Sequence, residues 1–372
     1  MNDAIWNNAH AGIHELHTYV PGKPIEDLER ELGLTSILKL ASNENPLGMA
    51  PGAQTALSEH AGDLRFYPDG NATPLKQKLA ALHHIEPARI TLGNGSNDIL
   101  ELAARVFLGP AKNAVFSQYA FAVYPIVSRA VNAETRVVPA LPYNSAMPLG
   151  HDLDAMYQAI DSNTGVVFVA SPNNPTGTWA DRTALEDFIA AVPASVLVVL
   201  DEAYVEYQAA ETRLDSRALL EHHDNLLVTR TFSKIYGLAG MRVGYGLSST
   251  VVADLLNRVR QPFNVHTLGQ LGATAALDDH AFVEQSIATN TAERPRVEQA
   301  LRERGFKTLP SAANFVTFDC GQPSDPIYQA MLRQGVIVRP LASYDLPNHI
   351  RVTVGRPADS DRFLAALDAA IQ

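Results

Sequence analysis

The sequence predicts an α/β chain: a large, doubly wound domain around a mainly parallel sheet, joined to a smaller α+β domain. Three observations carry this expectation. Short apolar, β-branched runs alternate with helical stretches from about residue 89 to 231. The runs are apolar throughout, as strands covered by helices on both faces require. After about residue 262 the texture changes to long helical sequence followed by a few short strands.

In chain order, the first 40 or so residues hold Pro21, Pro24 and the amphipathic stretch E-D-L-E-R-E-L-G-L. They do not fit the main sheet, so residues 1–40 are expected to form an arm packed on the small domain or on a partner, with part of the segment belonging to the small domain. The large domain is expected over residues 41–262. Its strands are R-I-T-L-G (89–93), N-A-V-F-S-Q (113–118), T-R-V-V-P-A (135–140), G-V-V-F-V-A-S (165–171), S-V-L-V-V-L-D-E (195–202) and N-L-L-V-T-R-T (225–231). Between them lie helical stretches, N-D-I-L-E-L-A-A-R-V-F among them. Such repeated β-α units give a doubly wound sheet. The small domain is expected over residues 263–372, with helix from Thr267 to Arg304 and then strands in N-F-V-T-F-D, G-V-I-V-R-P and H-I-R-V-T-V-G.

Bulk properties narrow the function. The 372 residues are 46% hydrophobic and 19% charged, ordinary globular composition. Net charge is −11 with no basic cluster, which argues against nucleic acid as the main partner. No apolar run approaches the roughly 20 residues that span a bilayer, and M-N-D-A-I-W-N-N-A-H is not a secretory leader. One cysteine, Cys320, cannot form an internal disulfide, so the cytoplasm is the expected compartment. His14 and His17, His83 and His84, and His222 and His223 have no zinc-site spacing, so no metal is expected.

In open α/β sheets, ligands bind outside the carboxyl ends of the strands. Here each strand end carries polar or glycine-rich residues: G-N-G-S-N-D (93–98), Y-A-F-A-V-Y (119–124), S-P-N-N-P-T-G (171–177), D-E-A-Y (201–204) and T-F-S-K (231–234). The first, opening a helix, suits a phosphate held by backbone amides, although a plain capped turn would look the same. It lacks the third glycine of a dinucleotide fingerprint, and no G-x-x-x-x-G-K-[ST] exists in the chain.

Lys234 and Arg242 stand eight residues apart in T-F-S-K-I-Y-G-L-A-G-M-R-V-G-Y-G, a stretch with no acidic residue. A lysine in an apolar pocket has a lowered pKa and becomes an amine nucleophile. Asp201 ends an apolar strand, where a carboxylate is costly unless it caps a helix or meets a cation. Arg242 with Thr231, Ser233 and Ser96 makes an anion set. An aldehyde for the lysine, a ring cation for the aspartate and a phosphate for the anion set together describe pyridoxal 5′-phosphate (PLP).

These motifs resemble the fold-type I PLP-dependent aminotransferases, and within them the histidinol-phosphate branch along essentially the whole chain. S-K-x-x-G-L-A-G-x-R-x-G-Y is specific for the superfamily. Y-V-P-G-K-P (19–24), K-L-A-S-N-E-N-P-L-G (39–48), R-F-Y-P-D-G (65–70) and I-R-V-T-V-G (350–355) mark the branch. The resemblance implies that Lys234 carries the cofactor aldehyde and acts as base. Asp201 would hold the pyridine nitrogen, and Tyr204 with Asn174 the ring's phenolic oxygen. Phe121 would stack on the ring, where many relatives have Tyr. Gly95, Ser96, Asn97, Thr231, Ser233 and Arg242 would hold the cofactor phosphate, Asn97 standing where an acidic residue is common. Tyr67 would reach the cofactor phosphate of a neighbouring subunit, implying a homodimer with shared active sites. Arg351, Arg339 and Tyr19 would bind the substrate's phosphate-bearing arm, and Asn43 would shape the site without an assigned contact.

The implied reaction is transamination between L-histidinol phosphate and 2-oxoglutarate in histidine biosynthesis. Aromatic amino-acid transamination and threonine-phosphate decarboxylation use the same scaffold and remain open here. A non-catalytic PLP-binding regulator fits less well, because the chain has no spare length or basic region for a DNA-binding domain.

Overall fold

Seven strands form the central sheet: β2 (Ile90–Gly93), β3 (Asn113–Ser117), β4 (Glu134–Val138), β5 (Thr164–Ala170), β6 (Leu197–Asp201), β7 (Leu226–Thr231) and β8 (Gly244–Leu247), in the order β2-β8-β7-β6-β5-β3-β4. The coordinates are a computed structural model describing residues 3–19, 21–60, 62 and 64–372. Val20 of the Y-V-P-G-K-P run lies outside the described residues. Pairing is parallel from β4 through β3, β5 and β6 to β7, whereas β8 is antiparallel to both β7 and β2.

The apolar strands bury both faces, with period 2. Val167 and Val169 of β5, Val198 and Leu200 of β6, and Leu226 and Val228 of β7 enter one core. Val166 and Phe168, Leu197 and Val199, and Leu227 enter a second core on the other face, with helix Ser96–Phe107. β8 was not among the expected strands. Its G-Y-G-L sequence has weak strand propensity, but Gly244 lets it pass against the backbone of Ser96, where a Cβ would collide.

The second unit is an antiparallel sheet of β9 (Lys307–Thr308), β10 (Phe315–Asp319), β12 (Arg339–Leu341) and β13 (Leu346–Thr353), in the order β12-β13-β10-β9. Its core takes Phe318 from the sheet, Met331 from helix Ser324–Arg333, and Phe363 from helix Pro357–Ile371. The expected helix from Thr267 to Arg304 is two helices, Thr267–Ala276 and His280–Glu303. The first lies against helix Pro51–His60 and places Ala273 and Ala276 in the large domain's core. Residues beyond 262, Ala273, Ala276 and Leu277 among them, thus pack in the same core as β5, β6 and β7. The second helix bridges the units, with Phe282 in the large core and Val297 and Leu301 in the small one.

The N-terminal segment divides likewise. Leu28 of helix Ile25–Leu32 packs with Leu332 and Ile337, and β1 (Leu38–Lys39) pairs in parallel with β11 (Val336–Ile337) in the small unit. Before it, Gly12 N–H donates to Asn132 Oδ1 at 3.0 Å and Glu15 pairs with Arg129. The arm's start therefore lies on the large domain, alongside helix Val123–Ala130. No helix among the described residues is long and apolar enough to cross a membrane.

Candidate active site

Beyond the carboxyl ends of β5, β6 and β7, between the two units, lies a cavity of about 280 Å³. Its centre is Lys234, three residues after β7. The turn that presents it is pinned by Phe232, Ile235 and Leu238, all buried, and by the Leu238 N–H to Phe232 carbonyl bond of 3.1 Å. Gly237 sits at φ 67°, so close to the Gly48 carbonyl that a Cβ would overlap it. Lys234 Nζ donates to the Ser42 carbonyl at 2.9 Å. Burial pushes its pKa down from 10.5 to about 7, Arg351 and Arg242 add to the fall, and Glu44 opposes it. The amine is thus partly neutral at physiological pH, as a nucleophile or base requires.

Asp201 ends β6 with 4% of its surface exposed. Burial raises its pKa, and three donors oppose that rise: Tyr124 Oη to Oδ2 at 3.0 Å, Thr229 Oγ1 to Oδ1 at 3.1 Å, and the Ala203 N–H to Oδ1 at 3.3 Å. Tyr204, three residues on, receives the Asn43 Nδ2–H at 2.9 Å on its hydroxyl. Burial raises the Tyr204 pKa to about 12, so the phenol keeps its proton.

One end of the cavity is an anion cradle. Gly95, at φ 82°, caps helix Ser96–Phe107, and Ser96 and Asn97 form its first turn. Thr231 and Ser233 come from the end of β7 and the turn beyond it. The Arg242 guanidinium passes so close to Gly95 that a Cβ there would meet it; its Nη1 donates to Ser233 Oγ at 3.3 Å and to the Ala239 carbonyl at 3.2 Å. Backbone amides at a helix start, hydroxyls and a guanidinium are the donor set for a phosphate.

A second cationic group lies across the cavity. Arg351 of β13 is 6% exposed. It donates through Nη1 to Asn174 Oδ1 and through Nη2 to the Ala41 carbonyl at 2.7 Å, while its buried Nε has no hydrogen-bond partner among the described residues. Arg339 of β12 lines the same region, its guanidinium 5.9 Å from the centre of the Tyr19 ring. Nucleophile, buried carboxylate and two separated cationic sites thus share one cavity.

Comparison with known proteins now decides the family. The aminotransferase class I and II family model matches residues 35–367. This chain belongs to that family. The aminotransferase is 55% identical to histidinol-phosphate aminotransferase 2 of Pseudomonas fluorescens and 54% identical to that of Pseudomonas aeruginosa, in each case over 96% of both chains. It also superposes on the crystal structure of histidinol-phosphate aminotransferase from Sinorhizobium meliloti in complex with pyridoxal-5′-phosphate. That match has a TM-score of 0.88 and 29% identity, covering 98% of this chain and 97% of the other.

Nearly all the residues singled out in the aminotransferase's sequence converge on the cavity, Phe121, Asn174 and Asn43 included. Tyr67 does not. It is 82% exposed and stacks on Phe263 with ring centres 4.7 Å apart. Asn43, which had no assigned contact, bonds Tyr204 and takes φ 55°. Sequence reasoning missed Tyr124, Thr229, Ser42, Glu44 and Tyr344. Tyr124 stood in the quoted Y-A-F-A-V-Y run, but its partner lies 77 residues away. Tyr344, on a short turn before β13, carried no signal. His83 is half-buried, its Nε2 2.9 Å from Tyr245 Oη.

Proposed function

We propose that this chain transfers the amino group of L-histidinol phosphate to 2-oxoglutarate, giving imidazole-acetol phosphate and glutamate in histidine biosynthesis, with PLP as cofactor. The observation that carries the reading is the pairing, in one cavity, of a lysine with its pKa near 7 and two separate anion-binding groups. One group suits the cofactor phosphate and the other a substrate phosphate. The histidinol-phosphate relatives over nearly the full chain support the same substrate.

The residues present fit PLP. Ser96, Asn97, Thr231, Ser233, Arg242 and the amides beyond Gly95 would hold its phosphate. Asp201 would face its pyridine nitrogen, Tyr204 and Asn174 its phenolic oxygen, and Phe121 its ring face. When bound, PLP supplies an aldehyde that links to amines and a ring that accepts electron density from the substrate carbon.

The chain's own residues supply the rest. Lys234, neutral in part, would hold the aldehyde through its amine and, when free, would be the base that moves a proton at the substrate Cα. Asp201, whose three donors oppose the rise that burial causes, would face the pyridine nitrogen and favour its protonated form. Arg351 and Arg339, with Tyr19, would bind the phosphate-bearing arm. Asn43 aims the Tyr204 hydroxyl.

The enzyme works as a homodimer in the cytoplasm on this reading. Tyr67 with Leu64, Phe66 and Phe263 leaves an exposed apolar rim outside the chain's own cavity, which a second copy would cover. The test is an absorbance spectrum of the PLP-loaded protein before and after L-histidinol phosphate, without keto acid. Loss of the visible band in favour of the near-ultraviolet pyridoxamine form supports the reading. A response to phenylalanine alone would make the enzyme an aromatic aminotransferase, and a Lys234→Ala protein with wild-type turnover would refute the lysine's role.

A further inference from the structure

Asp201 presents its two oxygens differently. Oδ1 accepts from both Thr229 Oγ1 and the Ala203 N–H, whereas Oδ2 accepts only from the Tyr124 phenol among the described residues, at 3.0 Å. Tyr124 is fully buried in helix Val123–Ala130 and has no freedom to turn. Its ring stacks on Phe168 at 4.7 Å and 9°, and meets Phe121 edge-on at 6.0 Å and 89°. Its N–H is bonded to the Phe121 carbonyl at 3.0 Å, and its own carbonyl accepts from Ser128 Oγ at 2.8 Å.

One side chain therefore touches both residues assigned to the cofactor ring: Asp201 at its edge and Phe121 at its face. A phenol inside an apolar core needs an acceptor, and a buried carboxylate needs donors to stay charged. Tyr124 and Asp201 meet both needs at once, and the rigid stack behind the phenol fixes the direction of the carboxylate.

We propose that Tyr124 is a positioning residue: its phenol aims Asp201 Oδ2 and holds the carboxylate anionic, while its ring backs Phe121. The proposal rests on the PLP reading of the cavity. It goes beyond that reading by assigning the cofactor's electronic state to a residue that does not line the cavity. Loss of the hydroxyl leaves Oδ2 without its protein donor. The carboxylate then holds the pyridine proton less firmly, although every substrate-binding residue is untouched.

The test compares wild type with Tyr124→Phe, which keeps the ring and its stacking. Both are loaded with PLP, and the visible band is titrated with pH. The variant's midpoint should move by ~0.5 unit or more. In turnover with L-histidinol phosphate, kcat should fall ~10-fold, as removal of a hydrogen bond to a charged group implies, with KM near the wild-type value. A variant that melts earlier yet keeps the wild-type midpoint and kcat would reduce Tyr124 to packing and overturn the proposal. If Tyr124→Phe does not fold, 3-fluorotyrosine at this position retains the ring and changes only the phenol's acidity. The midpoint must then follow that acidity, or the proposal fails. If wild type itself takes up no PLP, the cofactor reading fails and the proposal with it; if it takes up PLP and the variant matches it, the proposal alone fails.

Discussion

The depressed pKa of Lys234 has a direct kinetic consequence for uptake of the cofactor aldehyde, because only the neutral amine attacks a carbonyl. At pH 7 an ordinary lysine of pKa 10.5 is neutral in roughly one molecule in 3,000, whereas a pKa of about 7 leaves roughly half neutral. The capture rate of apo-enzyme should therefore rise with pH through a midpoint near 7 and level off by about pH 8. Burial is the main cause of the depression and Arg351 the next. Replacing Arg351 by Gln removes that charge, keeps an amide donor for the Ala41 carbonyl or Asn174, and should raise the midpoint by roughly one unit. At pH 7 the neutral fraction would then fall to roughly one tenth, so capture slows about 5-fold, with the high-pH plateau unchanged. Stopped-flow absorbance of PLP mixed with apo-protein between about pH 5.5 and 9.5 measures this, and the ratio of variant to wild type cancels the cofactor's own titration. A wild-type midpoint above about 9 would show that Lys234 is not in a depressing environment. An R351Q midpoint at or below that of wild type would remove Arg351 from the account.

The same pKa sets a stability trend. Between about 7 and 10.5 the unfolded chain binds a proton at Lys234 that the folded chain lacks, so this residue makes apo-protein stability rise with pH across that window. Lys234→Met should therefore raise the melting temperature most at or below pH 7, with the gain fading towards pH 10; a gain that grows with pH would reverse the sign. At the neighbouring turn, Gly237→Ala should cost ~3 kcal/mol or more in urea unfolding, since φ 67° and the Gly48 carbonyl both oppose a Cβ. For substrate binding, Arg339→Gln should raise KM for L-histidinol phosphate ~10-fold while kcat stays within ~2-fold, measured at saturating 2-oxoglutarate.

Much of the large domain was legible because its strands have one physical signature. A strand such as T-G-V-V-F-V-A, buried on both faces, must be apolar at every position, and β5, β6 and β7 all meet that condition. What escaped was structure held by long-range contact. β8 has two glycines in four residues and gains its strand geometry from hydrogen bonds to β2 and β7 on either side. The break between helices Thr267–Ala276 and His280–Glu303 lies at Leu277, Asp278 and Asp279, where Asp279 Oδ2 accepts the Gly52 N–H at 2.8 Å. The partner that turns the chain there is 227 residues away.

In the site the same division recurs within single residues. Each strand end advertised its chemistry locally, so Lys234, Asp201 and Arg242 could be named from their neighbours in sequence. Arg351 shows what that leaves out. From sequence it is a strand-borne cation for a substrate. In the fold it also ties the two units, donating from β13 to Asn174 beyond β5 and to the backbone at Ala41. Thr317 of β10 adds a second tie, its hydroxyl donating to the Pro175 carbonyl at 2.5 Å. An anion drawn to Arg351 therefore binds at the seam between the domains, where its charge bears both on the pKa of Lys234 and on the contacts that hold the cavity's two walls together. On the proposed reading, substrate recognition and the setting of the Lys234 amine would share one guanidinium, a coupling that exists only once β13 and the loop after β5 have met.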